Sequence, residues 1–308
     1  MSPEPHGRLW VRLTVSCPAA AADAVSAALL PISPNGVVVE EVAEPDGETR
    51  ITGYMGPYLS PDATADATRR VRALAVLPDA MLQGHAKIET EVVPEEDWLE
   101  AFRAHHKPAR VGRIVIKPTW ECWPSPHLPP RPDDIIIEID PGLAFGTGQH
   151  PTTCICLQEL QERLRPGDRV LDFGCGSGIL AIAAVKLGAG EVLGIDCDPS
   201  AVRVADENVR LNEVGDTVQL RVIDNLSAIE PPWDVVVANI NPVVVMQEAG
   251  RVTELLRPGG TYICTGIPIE REGTVLEALR DAGFDGIVPR PTGEWIGFVC
   301  TTARSDES

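Results

Sequence analysis

Basic residues are scarce in this 308-residue chain: 26 lysines and arginines stand against 45 aspartates and glutamates, a formal net charge of −19. A chain of that sign repels phosphate backbones, so direct nucleic-acid binding is not expected, whereas a basic partner is attracted. Long apolar runs are also missing. The longest, 133–139 and 233–238, fall well short of the roughly 18 residues a membrane span needs, so no membrane association is expected. The opening "MSPEPHGRLW" has no basic stretch leading into an apolar one, so no secretory leader is read and the expected location is cytoplasmic. Paired C-x-x-C units are absent, which argues against zinc, and no metal is expected. The eight cysteines are scattered and read as reduced, mostly buried thiols. Cys154 and Cys156, two apart, would point to different faces of a helix.

What is present is ordinary for a globular protein, with 44% hydrophobic and 23% charged residues in a length that suits about two domains. The first part alternates strand-like and helix-like segments: strands at 9–17, 36–42, 50–55 and 85–94, helices at 19–30 and 62–77. This β-α-β-β-α-β order predicts a small α+β, ferredoxin-like domain over 1–93. Residues 94–134 read as a linker: a short amphipathic helix at 95–106, a strand-like stretch interrupted by Pro118, and the proline-rich "PSPHLPPRPDD". From 135 to 308 seven short apolar segments read as strands ("IIIEI", "RVLDFG", "EVLGID", "TVQLRVI", "WDVVVANI", "GTYICTGI" and "WIGFVCTT"), with helices between most of them, such as 178–187, 199–212 and 271–282. Apolar strands separated by helices predict an α/β fold with a mostly parallel, Rossmann-like sheet covered on both faces.

The chemistry concentrates in "VLDFGCGSGILAIAAVKLGAGEVLGIDCD", 170–198. A strand ends at Asp172, then Gly174, Gly176 and Gly178 turn into a helix, and the next strand ends at Asp196, 22 residues after Gly174 (196 − 174). Glycines allow a tight turn and the close approach of a ligand to backbone N–H groups. An acidic residue at the neighbouring strand's C-terminal end suits a ribose diol. A nicotinamide-binding turn calls for G-x-G-x-x-G. The spacing here is G-x-G-x-G with a carboxylate beside it, which repels a pyrophosphate and suits a cationic, amino-acid-bearing nucleoside. S-adenosylmethionine fits that description. Asn239, in "WDVVVANINP", falls where the fourth strand meets the ligand crevice of an open α/β sheet, and its carbonyl could orient an amine; asparagine also ends strands with no such role.

Upstream, "DPGLAFGTGQHPTTCICLQEL" (140–160) joins a glycine-rich loop to an apolar helical run. Gly146 and Gly148 allow close approach, Phe145 offers apolar cover, and Thr152 or Thr153 offers a hydroxyl. His150, ahead of Pro151, reads either as a base or as a brace for the loop.

These stretches together, "DPGLAFGTGQHPTT", "DFGCGSGILAIAA", "GIDCDP" and "VVANI", resemble the bacterial PrmA-type protein methyltransferases. "PEEDWLEAFRAHHKPARVGRIVIKPTWE" is similar to that family's linker, so the resemblance spans nearly the whole chain. It implies a class I methyltransferase domain using S-adenosylmethionine, an N-terminal substrate-recognition domain, and methylation of lysine or N-terminal amines on ribosomal protein eleven of the large subunit. It also implies cofactor contacts at Thr153, Gly174, Asp196 and Asn239, with the 140–160 stretch in the wall around the cofactor. The residues themselves add Gly176, Asp172 and Phe145 to that site and make Asn239 the catalytic candidate. The chain departs from the family after Asn239-Ile240, where Asn241-Pro242 replaces the usual leucine. That pair resembles the Asn-Pro-Pro-aromatic motif of amine methyltransferases without its aromatic residue, and Asn241 reads as an aid to Asn239. "ISPNGVVVEE" differs from the family's usual Gly-Ala before the strand. A small-molecule methyltransferase and a non-catalytic cofactor-binding module are the rival readings, and the intact Asp172, Gly174, Asp196 and Asn239 set weighs against the second.

Overall fold

The computed structural model describes residues 9–18, 25, 29, 33, 37–41, 48–58, 87–94, 107–126, 128–140, 148 and 150–304. The chain divides into two compact units, Met1–His106 and Lys107–Ser308.

In the first unit, β1 (Leu9–Pro18), β2 (Val37–Glu41), β3 (Glu48–Tyr58) and β4 (Lys87–Pro94) form one sheet in the order β2-β3-β1-β4. Every pairing is antiparallel. The period-2 alternation of β1 places Val11, Leu13, Val15 and Cys17 inside, while Arg12 points outward and pairs with Glu91. Val25 and Leu29, four residues apart, are helical and buried. The rest of the helix expected at 19–30, and those expected at 62–77 and 95–106, lie outside the described residues.

The second unit begins with a hairpin. β5 (Ala109–Val111) and β6 (Ile114–Pro118) are turned by Gly112 at φ +60°, a conformation that favours glycine. β7 (Ile135–Ile139), the "IIIEI" segment, runs parallel to β6 and completes a separate three-stranded sheet, order β5-β6-β7. The proline-rich crossover between them is pinned by Arg110, whose guanidinium donates to the Pro129 carbonyl at 3.0 Å and to Asp134 at 2.6 Å.

The main sheet has seven strands: β8 (Arg169–Phe173), β9 (Glu191–Asp196), β10 (Val218–Val222), β11 (Trp233–Asn239), β12 (Leu256–Pro268), β13 (Gly286–Thr292) and β14 (Trp295–Thr301). Their order is β10-β9-β8-β11-β12-β14-β13, parallel through β12, with β14 antiparallel to both neighbours. The expected count of seven survives two compensating errors. Residues 135–139 belong to the other sheet, and β13 replaces them. Its Pro289 and Pro291 hid it, since proline cannot donate to a ladder; at the sheet's edge it is tolerated.

Helices α1 (Pro151–Arg163), α2 (Ile179–Lys186) and α3 (Pro199–Leu211) pack on one face of this sheet with the small sheet, around Val170, Val192, Val235, Val237 and Ile263. Helices α4 (Pro242–Leu255) and α5 (Glu272–Asp281) cover the other face, around Leu171, Leu193, Val236, Ala238 and Cys264. Adjacent strand residues thus feed opposite cores, as the pleat requires. The strand order reverses between β8 and β11, which opens a crevice at their C-terminal ends. Among the described residues no helix is long and apolar enough to cross a membrane.

Candidate functional site

Two strand ends flank that crevice, the Gly174 turn after β8 and Asn239 at the end of β11. Gly174, Gly176 and Gly178 all have positive φ, at +79°, +53° and +80°. A Cβ on Gly174 would lie 2.3 Å from Ile240 Cγ2, and one on Gly178 would lie 3.1 Å from Ala205 Cβ. Both steric space and backbone conformation therefore demand glycine at these positions.

The turn's donors are already engaged. Gly174 and Cys175 N–H donate to the Ile195 carbonyl at 2.8 and 2.9 Å, and Gly178 N–H donates to Cys175 O at 2.8 Å. Gly176 N–H donates to Asp196 Oδ2 at 3.0 Å. The three glycine N–H groups expected to meet a ligand are thus paired within the protein, and at Gly174 and Gly178 the missing side chain allows close packing. A turn with those donors spent has little to offer a pyrophosphate.

It does have something for a cation. Asp172 is fully buried beneath the turn. Its Oδ2 accepts from Ala181 N–H at 3.0 Å, capping α2 from nine residues upstream, where Gly178 has no side chain to do so. Its Oδ1 has no hydrogen-bond partner among the described residues. Desolvation pushes the Asp172 carboxyl up to about 7, with the Asp196 charge adding to the rise and the Ala181 bond opposing it. An unpartnered buried carboxylate oxygen is a site of negative potential. Asp196, at the end of β9, is partly exposed; its second oxygen accepts from Asp198 N–H at 3.0 Å, which shapes the corner leading into α3.

The opposite wall is built from side chains. Thr153, buried in the first turn of α1, accepts from Asn239 Nδ2 at 3.2 Å. One turn further along α1, Cys156 Sγ lies 3.1 Å from Thr265 Oγ1, and Thr265 is the β12 partner of Asn239. The helix that opens at Pro151 is thereby fastened across the ends of β11 and β12. Asn239 keeps its Oδ1 as an acceptor, since the Nδ2 is directed at Thr153.

His150 proves to be a brace. It is the N-cap of α1: its Nδ1 lies 2.7 Å from Thr152 Oγ1, and its ring packs edge-on against Trp295 at 5.0 Å. Burial lowers its pKa, favouring the neutral ring that such a cap needs. Gly148, at φ +81°, is wedged where a Cβ would lie 2.6 Å from Ile116 and 2.8 Å from Ile179. Phe145 and Gly146 lie outside the described residues. Asn241 is likewise a cap. Its Oδ1 accepts from Val243 N–H at 2.8 Å, and Pro242 takes the first helical position of α4. The pair that resembles a catalytic motif is a helix start, and Asn241's carbonyl is not available to assist Asn239.

Sequence reasoning missed the residue that joins the two walls. Ile240 fills the space over Gly174, donates from its N–H to Thr265 O at 3.2 Å, and leaves no room for a Cβ on Gly266, which would lie 2.4 Å from Ile240 O. A lone glycine inside the β12 pattern was the available signal, because it marks a bulge or a close backbone approach. Five of the eight cysteines are buried and Cys154 is half-buried, while Cys122 and Cys197 are exposed; all eight are free.

The family model for ribosomal protein L11 methyltransferase (PrmA) matches residues 9–303. The Geobacter sulfurreducens ribosomal protein L11 methyltransferase is 42% identical over 94% of this chain and 97% of its own length. That of Pelotomaculum thermopropionicum is 37% identical over 94% and 98%. The crystal structure of the ribosomal protein L11 methylase of Lactobacillus delbrueckii subsp. bulgaricus superposes with a TM-score of 0.59 at 31% identity, covering 64% of this chain and all of that one. A glycine turn and an asparagine strand end, facing each other where a parallel sheet reverses, are thus set in a sequence matched almost end to end, and the chain belongs to the ribosomal protein L11 methyltransferase family.

Proposed function

We propose that this chain methylates amines of ribosomal protein L11 with S-adenosylmethionine as methyl donor. The observation that carries the reading is the meeting of the Gly174 turn, Asp196 and the Thr153–Asn239 pair around one crevice at the strand-order reversal. When bound, S-adenosylmethionine supplies an electrophilic methyl group to an unprotonated amine. Gly174 and Gly176 give the methionine part a backbone without side chains to lie against. Asp196 holds the ribose hydroxyls, and Thr153 completes the opposite wall by fixing Asn239. Asp172, being fully buried, acts through its charge beneath the turn instead of by contact. Phe145 supplies apolar cover.

The substrate amine is positioned by Asn239 Oδ1, which accepts one of its N–H bonds and so directs the lone pair. A lysine amine has an ordinary pKa near 10.4, and a dry site lowers it, so positioning carries the step and no dedicated base is required. His150 is committed to capping α1.

The first unit is assigned to recognition of the protein substrate. Its antiparallel order β2-β3-β1-β4 is the strand order of a split-βαβ, ferredoxin-like domain. The division we propose is 1–93, 94–134 and 135–308, with β5 and β6 of the middle segment sharing a sheet with β7 inside the unit Lys107–Ser308. Remote binding can be used to position a reacting amine. The acidic chain favours a basic partner over nucleic acid, with association weakening as salt rises, and a ribosomal substrate implies a cytoplasmic location.

The test is transfer of a radiolabelled methyl group into a cell lysate, with the full chain and with a chain beginning at residue 94. One small basic protein labelled by the full chain, and much less by the shorter one at equal cofactor affinity, is expected. Label in small molecules only, or none, overturns the assignment. Full kcat/KM on ribosomal protein L11 without the first unit overturns the recognition role.

A further inference from the structure

Two buried asparagines lie one turn apart at the end of helix α3, Asn208 in its last turn and Asn212 at its C-cap. A side-chain amide has the same donor and acceptor as a peptide group. Residues i and i+4 of a helix are about 6 Å apart along its axis, close to the roughly 6.6–6.8 Å between i and i+2 of a strand. The two amides therefore serve the outer edge of β7 as a missing strand would. Asn212 accepts from Glu138 N–H at 3.0 Å and donates to Glu138 O at 2.6 Å. Asn208 accepts from Asp140 N–H at 2.9 Å and donates to Asp140 O at 3.0 Å.

The two differ in one respect. The second donor of Asn212 returns to Asn208 O in its own helix, at 2.9 Å. The second donor of Asn208 reaches the carbonyl of Ser177 at 2.9 Å, inside the glycine turn. Asn208 thus ties the strand end at Asp140, from which the glycine-rich loop departs, to the turn beside which Gly178 packs on Ala205 of the same helix.

We infer that Asn208 is a positioning residue for the cofactor: it holds the Gly174–Gly178 turn in its ligand-accepting shape, and Asn212 is its purely structural counterpart. The inference rests on the assignment of that turn to S-adenosylmethionine.

The ladder supplies its own control. Asn208→Asp and Asn212→Asp each keep the acceptor, lose two donors and bring in one carboxylate; Asn208→Ala and Asn212→Ala repeat the comparison without the charge. Melting temperature of the free protein and calorimetric affinity for S-adenosylmethionine and S-adenosylhomocysteine are measured in all four. Comparable drops in melting temperature are expected within each pair, with affinity for both nucleosides about tenfold weaker in the Asn208 variant than in its Asn212 partner. In turnover assays Asn208→Ala should raise the KM for S-adenosylmethionine with kcat within about threefold of the parent. Simple loss of folded enzyme would lower kcat at unchanged KM. Should one alanine variant not fold, the aspartate pair decides by the same criterion. Equal affinities within the pair overturn the inference. Asp196→Ala, measured alongside, separates the two levels: if it binds S-adenosylmethionine as the parent does, the assignment of the turn itself fails, whatever the asparagines do.

Discussion

The two walls of the crevice are made of different material. On the β8 side the wall is backbone: three positive-φ glycines whose N–H groups and neighbours are already paired within the protein. On the β11 side it is side chain: an asparagine held by a threonine 86 positions earlier in sequence, on a helix capped by a histidine. A backbone wall fixes shape and resists change, since a Cβ at Gly174 or Gly178 meets a neighbour and all three glycines hold a positive φ. A side-chain wall fixes the direction of a lone pair, and one substitution can remove that function while leaving the shape. Disrupting each wall should therefore fail in a different observable.

The largest effect is expected at Gly174. Alanine there must adopt φ +79° and place a Cβ 2.3 Å from Ile240 Cγ2. Left-handed strain of about 1–2 kcal/mol and overpacking of about 1–3 kcal/mol together destabilise the protein by about 2–5 kcal/mol. Urea unfolding and calorimetry should show stability and cofactor affinity falling together. Wild-type values in both would mean that the turn is not the rigid wall described.

Asn239→Ala should separate from this. Losing the acceptor that positions the amine is expected to cost about a hundredfold in kcat, with a much smaller loss of cofactor affinity and near-parental stability. Equal losses in turnover and affinity would reduce Asn239 to a cofactor ligand. Asp196 stands between the walls. Its carboxylate shapes the turn through Gly176 and remains partly exposed, and Asp196→Ala is expected to weaken S-adenosylmethionine binding by about 1.5–3 kcal/mol, roughly ten- to hundredfold.

The same contrast explains what could be read from the sequence. The backbone wall was legible because glycine spacing and a strand-terminal acid are local patterns with few alternative uses. Thr153 and Asn239 were identified separately, but their hydrogen bond was not, since nothing local specifies a partner 86 residues away. His150 and Asn241 were ambiguous for a related reason. A polar residue ahead of proline is a helix cap and a plausible catalytic group at once, and the bond to Thr152 or Val243 decides between them. Strand β13 was hidden by two prolines that an edge position tolerates. Residues 135–139 were assigned to the wrong sheet because apolarity signals burial without naming the neighbouring strand. The amide ladder of Asn208 and Asn212 carried no sequence signal, because its partners are backbone groups.

The smallest expected effect sharpens the comparison most, because it tests the charge behind the backbone wall without altering its shape. Desolvation raises Asp172 from 3.8 to about 7, so in the free protein the folded state holds this proton more tightly than the unfolded chain does. Stability from this group is therefore fully present below about 3.8 and is lost as pH rises through about 7. Cofactor binding runs the other way. A cationic ligand is favoured by the ionised carboxylate, so affinity should rise as pH increases through about 7, by up to about tenfold given that Asp172 acts through its field and not by contact. Asp172→Asn keeps the side chain's shape and removes the charge. It should flatten both dependences, leaving affinity near the acid-side value of the parent. Calorimetric titrations at several pH values, paired with melting temperatures of the free protein, read both signs at once. Parallel rather than opposed slopes, or an unchanged affinity profile in Asp172→Asn, would show that the carboxylate only caps α2 and that the wall attracts its ligand by shape alone.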